Sequence, residues 1–199
     1  MKNRFPVALC LGLCLSALPV VAGPAAPAAA GSKAAPAPAA AKAGAFQEDV
    51  VHLFDDAAKK VLALEEAVPQ NKFTWRPAPG VRSVSELFLH VAFADYGIPK
   101  RALGKDAPAD VGFDGNMAKW DTKTTDKAEI KKTLEKSFEH VRAVVKATPD
   151  ADLDKKFDFF GTEMTVRAGM MVVVAHINEH LGQAIAYARS NKVTPPWSK

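Results

Sequence analysis

TVRAGMMVVVAHINEHLGQAIAYARSN, residues 165–191, is long, free of internal proline and apolar along one side. At 3.6 residues per turn, His176 and His180 fall one above the other on a helical face. Val172 and Val173 begin that stripe, and Gln183, Ala184 and Tyr187 continue it. Thr165 fits the N-cap, Asn191 the stop, and Pro195 and Pro196 follow just beyond. Two histidines at i and i+4 on an inward face supply half of a metal site. The rest of the chain must supply the other half.

Three more amphipathic segments precede it. The first runs from about Phe46 to Val68, with Phe46, Val50, Leu53, Phe54, Ala57, Val61 and Leu64 on one face. A loop from Asn71 to Arg82 follows. The second helix starts at Ser83-Val84-Ser85-Glu86, a capping-box pattern, and carries Leu87, His90, Val91 and Ala94 before Gly97 and Pro99. The third begins near Thr125 or Asp126 and packs through Ile130, Leu134, Phe138, Val141 and Val145. Residues 155–164 read as an aromatic-rich link with room for two short extended pieces. Four helices and no long strand predict an all-α four-helix bundle.

Of the five histidines, His52 and His140 lie off the apolar stripes and read as surface residues. His90 lies on or beside the buried side of the second helix. Three imidazoles on inner faces must each find a hydrogen-bond partner, and one divalent ion satisfies all three while leaving a position for water. His90, His176 and His180 are therefore the expected metal ligands. Glu179 and Gln183 are the candidates for acid/base or ligand-orienting work, against plain readings as a solvated helix charge and a polar bundle-end residue. The string His176-Ile177-Asn178-Glu179-His180 also fits an inverted zinc-protease pattern. That class needs a later third ligand, and the 19 residues after His180 contain no acid. Glu86 shares a face with His90, but the capping box accounts for it more economically. Met164, Met170 and Met171 read as packing.

The remainder of the chain is of a different kind. A short basic start, an apolar run over residues 5–21 and small residues at Ala22-Gly23 read as a signal peptide, residues 1–22. An exported, periplasmic or secreted protein with no stable membrane anchor after cleavage is the expectation. Cys10 and Cys14 would leave with the signal, so the remainder offers no disulfide, thiolate ligand or cysteine nucleophile. Residues 23–45 hold 13 Ala and 4 Pro in 23 positions and read as a disordered tether. The folded domain is then residues 46–199. All 22 acidic residues lie in it with 22 of the 26 basic ones, giving a formal net charge of zero. The basic pI belongs to the leader, and a nucleic-acid-binding surface loses its main support.

Two stretches carry a family likeness. Residues 73–83, FTWRPAPGVRS, leading into a helix with Glu86 and His90, resemble the second-helix region of the DinB-like (DinB/YfiT-like) superfamily. The run His176, His180, Gln183, followed by Pro195-Pro196-Trp197, resembles its final helix and tail. The resemblance spans about residues 46–199 and implies a four-helix bundle with a divalent metal, zinc or nickel, on His90, His176 and His180. The resemblance further implies relatives that are thiol-dependent transferases and isomerases, with homodimers common. With an ion that activates bound water or a thiol, the expectation is a metal-dependent hydrolase or thiol-dependent transferase acting on a small molecule. A non-catalytic metal- or small-ligand-binding bundle is the alternative, and a scaffold with merely buried histidines is a third reading. Low-molecular-weight thiols are mainly cytosolic, which sets the transferase branch against the export signal.

Overall fold

The computed structural model of the chain describes residues 43–198. The signal-peptide reading and the tether reading up to residue 42 fall outside them. In chain order the elements are α1 (Ala45–Ala67), α2 (Val84–Leu103), α3 (Met117–Asp121), α4 (Lys127–Lys146), β1 (Lys156–Phe159), β2 (Thr162–Thr165) and α5 (Val166–Ser190). The four long helices form the expected bundle. Both α1 and α2 pack against α4 and α5, so α1 and α2 take opposite corners. The chain must therefore cross one end of the bundle between them. Phe73 anchors that crossing in the core, and backbone bonds Val84 N–H to Trp75 O (3.0 Å) and Ser85 N–H to Phe73 O (2.9 Å) tie it to the start of α2. Among the described residues, no helix is long and apolar enough to cross a membrane.

The apolar spacing of α4 translates directly into packing: Ile130, Leu134, Phe138, Val141 and Val145 are all buried. Phe138 meets Phe54 of α1 edge-on at 5.6 Å. Burying side chains of this size contributes about 1.5–3 kcal/mol each. Two residues depart from expectation. Leu53 is 48 % exposed, because the buried stripe of α1 runs through Val50, Val51, Phe54, Ala57 and Ala58 and leaves it at the outer edge. His140 is only 8 % exposed rather than a surface residue. With α4 wedged against both α1 and α2, its buried face is wider than one apolar stripe, and His140 lies 5.2 Å from the Tyr96 ring. Burial lowers its pKa.

The second helix also runs further than its breakers suggest. Pro99 has no N–H to offer the carbonyl four residues back, yet α2 continues to Leu103 with Ile98, Pro99 and Ala102 buried. Core burial outweighs the lost bond, and Gly104, at φ 62°, ends the helix. The link before α5 is a β-hairpin, with Phe160 and Gly161 both at positive φ in its two-residue turn. Its second strand delivers Thr165, whose Oγ1 accepts the Ala168 N–H and starts α5.

Candidate metal centre

The start of α2 is fixed by the capping box read in the sequence. Ser83 Oγ accepts the Glu86 N–H at 3.3 Å, and Glu86 Oε2 accepts the Ser83 N–H at 2.8 Å. Glu86 also takes a 2.7 Å ion pair from Arg76, so it is fully used as a cap and stands outside the histidine group. From this anchored helix His90 faces α5. One ring nitrogen from each of His90, His176 and His180 lies within 4.8 Å of the others. The His176 and His180 Nε2 atoms are 3.1 Å apart. The structure thus brings together the three predicted ligands from two helices.

A chain of hydrogen bonds sets the protonation of His180. The Arg82 carbonyl can only accept, so the Tyr187 hydroxyl donates to it at 3.1 Å. The Tyr187 oxygen then accepts from Gln183 Nε2 at 2.9 Å. That turns the Gln183 amide oxygen toward His180 Nδ1, 3.0 Å away. His180 must carry its proton on Nδ1, which leaves a bare lone pair on Nε2 beside His176. Gln183 therefore orients a candidate ligand, whereas Glu179 is exposed on the neighbouring face of α5 and acts on His180 only through space.

Electrostatics favour neutral imidazoles here. Burial pushes the His176 pKa down to about 3, with the neighbouring His180, His90 and Arg82 acting in the same direction. Burial likewise lowers His180, only partly opposed by its bond to Gln183. Neutral imidazole is the form that binds metal.

One residue near the cluster has no counterpart in the sequence reading. Asp121, at the end of α3, is 7 % exposed, and its Oδ2 accepts from Arg82 Nε at 2.8 Å. The same oxygen lies 3.7 Å from His90 Nδ1. Both His90 Nδ1 and Asp121 Oδ1 are buried without a hydrogen-bond partner. At 3.7 Å from Asp121 Oδ2, His90 Nδ1 stands beside a carboxylate, the kind of neighbour that orients a metal-ligating histidine.

The residues fit a divalent ion. Tetrahedral zinc with bonds of about 2.0–2.1 Å needs ligand nitrogens roughly 3.3–3.4 Å apart, close to the 3.1 Å between His176 and His180. An approach of the His90 ring would complete the set. His180 is 8 % exposed while His90 and His176 keep partial exposure, so the cluster is not sealed from solvent.

Comparison with known proteins agrees with the fold. A family model described as the DinB superfamily matches residues 53–184, a span that begins in α1 and ends beyond His180. The chain belongs to the DinB superfamily. Among solved structures, a DinB-like protein from Bacillus cereus superposes with a TM-score of 0.64 at 18 % identity, covering 76 % of this chain and 97 % of its own. A DinB-like protein from Bacillus subtilis gives a TM-score of 0.57 at 20 % identity, covering 73 % and 94 %. At these identities the likeness shows the DinB-like fold alone. No protein with a curated description matches the chain.

Proposed function

We propose that this DinB superfamily member is an exported, metal-dependent enzyme holding one divalent ion, zinc or nickel, on His90, His176 and His180. The observation that carries the reading is the convergence of three imidazoles, one of them locked with its Nε2 lone pair toward its neighbour. When bound, such an ion supplies Lewis acidity to a water or a thiol. The chain's own residues hold and orient the ligands: Gln183 and Tyr187 fix His180, and Asp121, itself held by Arg82, is placed to fix His90. The Arg82 guanidinium disfavours a proton on either α5 histidine.

The only cysteines of the chain, Cys10 and Cys14, precede the domain, so the domain has no thiol nucleophile of its own. A hydrolase using water or a transferase using an external thiol remains, both acting on a small molecule. The exposed position of Glu179 favours a second reading, a non-catalytic metal- or small-ligand-binding bundle, since it turns the candidate acid/base residue of α5 away from the three-nitrogen group. The test is a screen of ester and amide hydrolysis and of thiol transfer, with protein taken from the exported fraction. Turnover should vanish with a chelator and return with zinc or nickel. Turnover indifferent to chelation would overturn the proposal, and bound metal without turnover in either screen would establish the second reading.

A further inference from the structure

Arg82 is tied to both halves of the histidine cluster. Its carbonyl accepts the Tyr187 hydroxyl of α5 at 3.1 Å, and its Nε donates to Asp121 at the end of α3. The same Asp121 oxygen lies 3.7 Å from His90 Nδ1. The side chain therefore runs along the edge of the cluster, from the helix that carries His176 and His180 toward the one that carries His90. Its positive charge reaches both α5 histidines, whose protonation it opposes.

Holding Asp121 uses little of this side chain. A guanidinium has five N–H donors and no acceptor. Nε gives its one to Asp121, and Nη2 meets only the Met117 sulfur, a weak acceptor, at 3.5 Å. Nη1 bonds nothing among the described residues, yet it is not sealed, and the side chain is 33 % exposed. Arg76 of the same loop shows the contrast, with Nη1 donating to Val81 O at 2.9 Å and Nη2 to Glu86 at 2.7 Å. An arginine that served only to neutralise Asp121 would meet it side-on through two parallel bonds, the stronger pairing. Here Asp121 Oδ1 is left without a partner, and the Nη1–Nη2 edge of Arg82 stays free as a two-pronged donor whose plane and spacing match a carboxylate. The charges agree: Arg82 and Asp121 offset each other, and neutral imidazoles leave the charge of a divalent ion uncompensated, so the site favours an anion. We propose that the substrate of this site is a small carboxylic acid, whose carboxylate docks on the Nη edge of Arg82 while its reacting group lies at the three histidines.

This substrate class rests on the metal reading above, so the zinc content of each protein is measured first. Zinc-loaded protein is then titrated calorimetrically near neutral pH with 3-mercaptopropionate and with its neutral amide, 3-mercaptopropionamide. Both offer a thiol to zinc, and only the first offers a carboxylate. The parent should prefer the acid, and Arg82→Gln should lower that preference by about 10–100-fold, as for hydrogen bonds to a charged group. Arg82→Lys keeps the charge without the fork and should retain part of it. A merely structural role for Arg82 would weaken both ligands alike and leave their ratio unchanged, and any difference in thiol acidity is common to parent and variant. An Arg82→Gln protein that loads zinc and keeps the parent's preference would overturn the proposal and leave the metal reading intact. So would a zinc-loaded parent that binds acid and amide equally, or neither. If Arg82→Gln does not hold zinc, Arg82→Lys decides: a reduced preference supports the proposal and an unchanged one refutes it. A parent that takes up no zinc would overturn both readings together.

Discussion

Deleting one oxygen atom tests how the histidine cluster is prepared for metal. Tyr187→Phe keeps the ring that meets Trp75 edge-on at 5.4 Å but removes the hydroxyl between Gln183 and the Arg82 carbonyl. Two hydrogen bonds disappear, so stability should fall by about 1–2 kcal/mol. The larger consequence is for His180. Without the hydroxyl to receive its N–H, the Gln183 amide is free to turn its nitrogen toward His180 Nδ1. An imidazole that accepts there carries its proton on Nε2, where a metal needs the lone pair. Loss of such an orienting partner costs about 10–100-fold in metal affinity, or about 1.4–2.7 kcal/mol. Competition against a chromophoric zinc chelator near neutral pH measures this directly. Gln183→Glu presents an acceptor to His180 without help from Tyr187, so the double variant should recover affinity. A folded Tyr187→Phe protein that binds zinc like the parent would refute the relay, as would a double variant no better than the single one.

Asp95 is buried and accepts the Ser137 hydroxyl at 2.8 Å, and burial pushes its pKa up to about 7. Its folded pKa lies above the unfolded one, so its contribution to stability is fully present at low pH and is lost as pH rises toward 7. Glu65, buried with neither oxygen partnered and raised to about 7 by burial, acts in the same sense. Chemical denaturation should show Asp95→Asn gaining about 2–3 kcal/mol on the parent between pH 5 and pH 8, and a parallel profile would contradict this. For Asp121, substitution by Ala should lower zinc affinity about 10–100-fold, with Asp121→Asn in between because it keeps an acceptor oxygen. Equal affinity in all three proteins would remove Asp121 from the site.

The parts of this molecule written as periodic patterns were readable in the sequence. The α4 stripe, the cap at Thr165 and the four-residue interval between His176 and His180 are local, and each follows from helical geometry alone. Gln183 was visible as one more turn of the same face. The Arg82 carbonyl that holds Tyr187 was not, because that bond joins residues 105 apart. Asp121 was hidden for a similar reason: it sits on a five-residue helix within a polar connection, and only the tertiary fold carries it to His90. The burial of His140 depends on α4 having two neighbours, a fact of assembly rather than of helix periodicity.

The most direct test of the metal site is the metal content and ligand set of the chain purified without chelators. One divalent ion per chain is expected, with X-ray absorption showing nitrogen ligands at about 2.0–2.1 Å if the ion is zinc. His90→Ala, His176→Ala and His180→Ala should each lose most of it, and His52→Ala, on the exposed side of α1, should keep it. Protein that takes up no stoichiometric metal, or that retains it fully when His90 is replaced, would contradict the assignment.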